Sequence, residues 1–110
     1  MELDQVQKIV DQWITQFAEG YWEPLAILAR LTEEVGELAR EVNHTYGQKP
    51  KKSGENETDL EMELGDVLFV LAVFANSQNI SLSNALERVM EKYRARDSHR
   101  WTKISKEGEF

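Results

Sequence analysis

Apolar residues recur at intervals of three or four positions along most of the chain, which is the spacing of helices with one apolar face. No segment shows the sustained alternation of apolar and polar residues that is typical of strands. The pattern predicts four helices, over about residues 3–17, 24–45, 58–77 and 81–96. At 110 residues, the chain is predicted to form a single all-α domain.

The predicted helix ends carry residues that commonly start or stop a helix. Gly20 follows the first helix, and Pro24 suits the first turn of the second, where its missing amide hydrogen costs nothing. Thr58 and Glu61 have the spacing of a capping box before the third helix, and Ser81 is predicted to cap the fourth. The apolar stripes predicted for the first two helices are Leu3, Val6, Ile9, Val10, Trp13 and Phe17, and Leu28, Leu31, Val35, Leu38 and Val42.

Residues 46–57 are predicted to form a mobile surface loop between the second and third helices. They include two glycines, a proline and three lysines, with almost no apolar side chain. The third helix, in contrast, is apolar nearly all round from Val67 to Ala75, which is more than a four-helix monomer of this size needs. The helices are therefore predicted to form a bundle completed by oligomerisation.

Composition and charge exclude several classes of function. The chain has no cysteine, so disulfides, thiolate zinc sites and cysteine nucleophiles are excluded. Its formal net charge of −7 argues against a general binder of nucleic-acid polymers. The longest apolar run is nine residues, against the about 20 that a membrane span needs, so no membrane partner is expected. The first twenty residues lack the basic start of a secretory signal, and a cytoplasmic location is expected.

Two pairs of acids, Glu34 with Glu37 and Glu63 with Asp66, are each three residues apart and so lie on one side of a helix. At about 100° per residue, each pair flanks the apolar stripe of its helix. A carboxylate removed from water either takes up a proton or finds a cation. Oxygen ligands that leave room for water and phosphate favour Mg²⁺, with Mn²⁺ as a substitute.

Two other interpretations of these acids stay open at this point. They can be surface acids paired with residues such as Arg30 and Arg40, as single pairs of this spacing usually are. A ferritin-like di-iron site needs a Glu-x-x-His motif on each of two helices. Glu41 and His44 supply one such motif, but His99 is preceded by Arg96, so the second copy is absent.

The end of the chain is basic although the whole is acidic. From Arg88 to Lys103 there are six basic residues and two acidic ones. Such a segment suits a small polyanion that is bridged to a cation. It is also the ordinary complement of the negative end of a helix dipole, so both explanations stand.

The two acidic motifs together resemble those of the MazG-like nucleotide pyrophosphohydrolases. The matching residues are Glu33-Glu34-Val35-Gly36-Glu37, a gap, and then Glu63-Leu64-Gly65-Asp66. This resemblance implies an all-α fold and a housecleaning reaction that splits a nucleoside triphosphate into a monophosphate and pyrophosphate. It also implies Mg²⁺ ligands at Glu34, Glu37, Glu63 and Asp66. Glu37 and Glu33 would have catalytic roles, and Glu33 would either support a metal ligand or orient the attacking water.

The resemblance further implies substrate contacts near the end of the chain. Lys92 and Arg96 match a family motif in the last helix and would contact phosphates, although Met90 stands where the family often has asparagine. Asn76, Arg100 and Trp101 are further candidate substrate contacts. Trp13 is expected to pack against apolar residues, while Trp22 and Trp101 stay open as stacking partners for a base.

The resemblance also implies a homodimer or a dimer of dimers. Two alternative functions remain at this point. One is a phosphoribosyl-ATP pyrophosphohydrolase, and the other is a non-catalytic helical module that oligomerises or senses nucleotides or Mg²⁺.

Overall fold

A computed structural model describes residues 1–47 and 59–104 of the chain. Over these ranges it contains four helices and no strand, which confirms the all-α prediction. The helices are α1 (Leu3–Thr15), α2 (Pro24–Tyr46), α3 (Leu60–Ser77) and α4 (Leu82–Asp97). In the predicted loop over residues 46–57, Tyr46 ends α2 and Gly47 follows it, while the rest lies outside the described residues.

The observed helix ends agree with most of the predicted ones. Gly20 has a φ of 63°, a left-handed conformation that glycine adopts without strain, so the chain reverses there before Pro24 begins α2. Ser81 caps α4, since its hydroxyl accepts a hydrogen bond from the amide of Asn84 at 3.2 Å. α1 ends two residues earlier than predicted, at Thr15.

The predicted capping box of α3 was placed one residue too early. Asp59, and not Thr58, precedes the helix, and its carboxylate accepts a hydrogen bond from the amide of Met62 at 3.0 Å. Thr58 itself lies outside the described residues. Aspartate and threonine are both good caps, so the sequence alone did not separate the two positions.

α3 lies at the centre of the fold, with α2 and α1 packed against it. Ile27 of α2 and Val73 of α3 are fully buried, and Val10 and Ile14 of α1 complete the contact. α4 contacts α1 and contributes no buried residue. The described helices therefore form a core around α3 that leaves α4 at one side.

Much of the predicted apolar surface is not covered within the chain. Leu28, Val35 and Val42 of the α2 stripe are 52%, 48% and 42% exposed, because α3 covers only the side of α2 that carries Ile27. Trp13, which was expected to pack, is 54% exposed and touches the ring of Phe17 edge-on at 5.1 Å. Within the single chain these stripes are thus only partly covered, while Trp13 packs against one apolar ring, that of Phe17.

A polar clamp, formed by the side chains of Gln7 and Asn76, joins α1 to α3 and to the start of α4. The Gln7 amide nitrogen donates to Asn76 Oδ1 at 3.0 Å and to the carbonyl of Ile80 at 2.8 Å. Asn76 Nδ2 donates to the backbone carbonyl of Gln7 at 2.9 Å, and the backbone amide of Leu82 donates to Gln7 Oε1 at 2.8 Å. The clamp satisfies an amide at the first turn of α4, which has no partner inside its own helix.

Within the two described ranges, no helix combines the length and the apolar character needed to cross a membrane.

Candidate metal centre

The four acids singled out in the sequence lie together in the structure. Glu34, Glu37, Glu63 and Asp66 each offer a carboxylate oxygen, and these four oxygens lie within 4.8 Å of one another. Two of the acids come from α2 and two from α3, the helices that pack together most extensively. The three-residue spacing places each pair on the side of its helix that faces the other helix.

The four acids differ in depth. Glu34 is 6% exposed, and among the described residues it is the one charged residue that is buried. Glu63 and Asp66 are half-buried. Glu37 is exposed, although its position beside the apolar stripe suggested a less accessible side chain. The cluster is therefore closed around Glu34 and open to solvent at Glu37, which is the side from which water or a ligand can enter.

Arg30 lies one helical turn before Glu34 and hydrogen-bonds to it. Its Nε donates to Glu34 Oε1 at 2.8 Å, and this bond raises the pKa of the Arg30 guanidinium. The same guanidinium lies over the ring of Trp22, 5.9 Å from the ring centre. The pairing considered from the sequence is present, but it engages only one oxygen of Glu34, and that carboxylate is buried, unlike a surface acid.

Two oxygens of the cluster are buried and accept no hydrogen bond from any described residue: Oε2 of Glu34 and Oε2 of Glu63. Burial raises the pKa of Glu63, and the neighbouring charges of Glu37 and Asp66 raise it further. A buried carboxylate oxygen without a donor is destabilising unless a cation lies against it. The donor set of four carboxylates, without sulfur or imidazole, fits a hard divalent cation such as Mg²⁺ or Mn²⁺.

Glu33 and Glu41 are two further acids of α2. Glu33 is exposed, and its charge contributes to the raised pKa of Arg30. The charge of Glu41 contributes to the raised pKa of Glu63, and Glu41 Oε1 lies 4.0 Å from Nδ1 of His44. The metal-capable cluster found among the described residues contains no histidine, so a di-iron centre of the Glu-x-x-His type is not formed there.

The sequence around the four acids shows the family to which the chain belongs. Residues 23–101 match the family model of the MazG nucleotide pyrophosphohydrolase domain. This chain belongs to the MazG family. Both acidic motifs and all four clustered carboxylates lie within the matched residues, and the resemblance inferred from the motifs is thereby confirmed.

Relatives of this MazG chain occur in Bacillus. The uncharacterized protein YpjD of Bacillus subtilis (strain 168) is 60% identical over 98 residues, which cover 89% of this chain and 88% of YpjD. The crystal structure of YpjD, a proposed pyrophosphatase, superposes with a TM-score of 0.77 at 58% identity and covers 84% of this chain and 95% of that one.

A second crystal structure, of a Bacillus-conserved MazG protein described as a nucleotide pyrophosphohydrolase, has a TM-score of 0.77 at 52% identity. It covers 91% of this chain and 97% of that chain. The chain is therefore a hydrolase with a pyrophosphatase function and a MazG-like all-α fold.

The candidate phosphate contacts Lys92 and Arg96 of this MazG chain lie on a different helix from the four acids. Lys92 Nζ lies 5.1 Å from the centre of the Tyr93 ring. Arg96 makes two hydrogen bonds to Asp97, from Nε to Oδ1 and from Nη2 to Oδ2, each 3.0 Å long. These residues lie on α4, which packs on α1, whereas the acids lie on α2 and α3.

The other candidate substrate residues lie in two different places. The Arg100 guanidinium lies 5.4 Å from the Trp101 ring centre, and Trp101 lines a cavity of about 430 Å³ with Tyr93 and Asp97 at the end of α4. Asn76 belongs to the polar clamp, where both ends of its side-chain amide are hydrogen-bonded to Gln7. Asn76 therefore has an evident structural role near the end of α3, which the sequence also suggested, although its pairing with Gln7 was not predicted.

Proposed function

We propose that this MazG chain is a Mg²⁺-dependent nucleoside triphosphate pyrophosphohydrolase that converts a (d)NTP and water into a (d)NMP and pyrophosphate. In this reaction the anhydride bond between the α and β phosphates breaks and water supplies the new oxygen. The proposal is carried by the four carboxylates within 4.8 Å of one another, whose buried oxygens on Glu34 and Glu63 have no donor among the described residues. Clearing the nucleotide pool of unwanted triphosphates is the role that we propose for it.

Glu34, Glu37, Glu63 and Asp66 are the residues that would hold the ion. When bound, Mg²⁺ neutralises phosphate charge and acidifies water. Glu37 and Glu33 would accept hydrogen bonds from an entering water and so orient it, a role that the solvent exposure of both carboxylates supports. Phosphoryl transfer needs such positioning more than it needs a protein nucleophile.

We further propose that the enzyme acts as a homodimer or a dimer of dimers. Exposed apolar side chains on all four helices support this, since large apolar patches mark protein interfaces. Lys92 and Arg96 would then meet the phosphates at the interface between copies, since within one chain they lie on α4, whose main contact is with α1. No membrane or nucleic-acid polymer takes part, and the cytoplasm is the proposed compartment.

The experiment that tests this proposal is an assay of pyrophosphate release from a panel of nucleotides, including phosphoribosyl-ATP, with Mg²⁺. Wild type is compared with Glu37→Gln and Asp66→Asn, and with Glu61→Gln as a control that removes an exposed acid of α3 outside the cluster. We expect both cluster variants to lose at least about 100-fold in kcat/KM, the upper range for groups that only support metal ligands. We expect the control to keep its activity.

Each outcome of the assay bears on a different part of the proposal. Absence of release by wild type with any nucleotide would contradict the proposed reaction and favour a non-catalytic binding module. Full activity of both cluster variants would instead contradict the assignment of the site. Release from phosphoribosyl-ATP alone would correct the substrate class.

A further inference from the structure

Arg30 donates a hydrogen bond to Glu34, one of the four clustered acids. Its Nε lies 2.8 Å from Oε1 of Glu34, and the side chain of Glu34 is 7% exposed while that of Arg30 is 51% exposed. The other oxygen of the same carboxylate, Oε2, is buried and accepts no hydrogen bond from a described residue. One oxygen of Glu34 is thus held by Arg30 and the other remains available.

Two roles for Arg30 are compatible with this contact, and they have opposite consequences for metal binding. As a counter-ion, its positive charge would offset the negative charge of the acids, so removing it would strengthen the binding of a divalent cation. As a positioning residue, it would fix the rotamer of Glu34, so removing it would weaken binding. The two roles can therefore be separated by the sign of the change in affinity.

The geometry favours the second role, in which Arg30 fixes the orientation of the Glu34 side chain. The hydrogen bond uses Nε, which is the guanidinium nitrogen nearest the backbone and the least free to move. Trp22 is within cation–π distance of the guanidinium, with 5.9 Å between its ring centre and the Arg30 Cζ, and this attraction favours the observed position of the group. Half of the Arg30 side chain is in contact with solvent, so its charge acts on the cluster through a strongly screening medium.

We propose that Arg30 is a positioning residue for Glu34, with Trp22 supporting the guanidinium, so that the free oxygen of Glu34 is presented to the divalent cation. This inference rests on the proposed function, since it requires the four acids to bind an ion. Hydrogen-bonding partners of metal ligands act in this way in other metalloproteins, where they set the orientation of the ligand. In the sequence, this role of Arg30 is indicated only by its four-residue spacing from Glu34, and ordinary ion pairs on a helix surface have the same spacing.

The test uses two variants of Arg30 that separate the hydrogen bond from the charge. In Arg30→Gln, the amide nitrogen follows Cδ as Nε does in arginine, so a donor remains at that place while the charge is lost. In Arg30→Met, the side chain reaches equally far and both donor and charge are lost. Both residues are good helix formers, so α2 should tolerate them.

The measured quantity is the dissociation constant of Mn²⁺, determined for the metal-free protein by calorimetry or electron paramagnetic resonance. We expect Arg30→Met to bind Mn²⁺ about 10–100-fold more weakly than Arg30→Gln, the range seen when the partner of a metal ligand is removed. Arg88→Met, which removes an exposed arginine of α4, serves as a control that should leave the constant unchanged. The melting temperature of each metal-free variant reports separately on folding.

Equal affinities of Arg30→Gln and Arg30→Met would overturn the inference, and tighter binding by both would assign Arg30 as a counter-ion. Failure of wild type to bind Mn²⁺ at all would overturn the proposed metal centre itself, which is a distinguishable result.

The supporting role of Trp22 is tested by a double-mutant cycle. We expect Trp22→Leu to weaken Mn²⁺ binding about two- to fivefold in wild type, the worth of an exposed cation–π contact, and to have no further effect in Arg30→Met. Additive effects would show that Trp22 acts independently of Arg30.

Discussion

Glu63 has the most perturbed environment of the four clustered acids. It is half-buried, one of its oxygens has no donor among the described residues, and three other carboxylates lie close to it. Burial and these charges hold its pKa above the ordinary value near 4.5 in the metal-free protein. Protons and a divalent cation therefore compete for the same carboxylate.

This raised pKa has a defined effect on stability. Above pH 4.5 the folded protein binds more protons at Glu63 than the unfolded chain does, so the free energy of unfolding should fall as the pH rises through the raised pKa. We expect this decline in metal-free wild type and its absence in Glu63→Gln. Thermal melts across this pH range in the presence of a chelator measure it, and identical slopes in the two proteins would contradict the account.

At the scale of single residues, the sequence predicted the four acids well and their surroundings poorly. Helical phase places Glu34, Glu37, Glu63 and Asp66 beside apolar stripes, and the structure brings them together. The angular position of an acid around its helix does not show how far that acid is buried, because burial depends on which neighbouring helix covers the position. For this reason the exposure of Glu37 and the burial of the carboxylate that pairs with Arg30 emerged only from the structure.

At the scale of the helices, the polar clamp sets the position of α4. Gln7 joins α1 to the end of α3 and to the start of α4 through three side-chain hydrogen bonds, to Asn76, Ile80 and Leu82. We expect Gln7→Met to lower the free energy of unfolding by roughly 1–3 kcal/mol, because the partly buried groups of Asn76 and Leu82 lose their hydrogen bonds to Gln7. Urea denaturation measures this loss. Gln12→Met, an exposed glutamine of the same helix, should be close to neutral, and equal losses in both variants would argue against the clamp.

A second contact joins α1 to the segment that leads into α2. The hydroxyl of Tyr21 donates to Asp11 Oδ1 at 2.5 Å, and burial together with this acceptor raises the pKa of Tyr21 to about 12. Because the folded pKa is raised, the stabilising effect is complete below pH 10 and is lost as the pH rises towards 12.

Tyrosinate absorbance in an alkaline titration measures this shift. Tyr21→Phe should remove the component that titrates near pH 12, whereas Tyr46→Phe, which alters a tyrosine that is 78% exposed, should keep it. Persistence of the late component in Tyr21→Phe would contradict the assignment.

The sequence predicted the four helices closely but not what each apolar stripe contacts. The boundaries of α2 follow from Pro24 and from the spacing of its apolar residues, which are local properties. An apolar stripe has the same spacing whether it packs against another helix of the same chain or against a second copy of the chain, so the spacing does not reveal its partner. The exposure of Leu28, Val35 and Val42 was therefore not foreseen.

At the scale of the whole molecule, these uncovered stripes are the basis for the proposed oligomer. We expect wild type to sediment as a dimer or tetramer at micromolar concentration and Leu28→Glu to shift it to monomer, because Leu28 is 52% exposed and belongs to the α2 stripe. Ala26→Glu introduces the same charge about 160° around the same helix and should leave the assembly intact. A monomeric wild type would contradict the proposal.

The central claim is that the four carboxylates hold a divalent cation and that the enzyme then releases pyrophosphate from nucleoside triphosphates. The most direct measurement is ³¹P nuclear magnetic resonance of a preferred triphosphate incubated with wild type, once with Mg²⁺ and once with excess chelator. We expect nucleoside monophosphate and pyrophosphate in equal amounts with Mg²⁺ and no turnover with chelator. Formation of diphosphate and orthophosphate, or equal turnover in both samples, would contradict the proposed metal-dependent reaction.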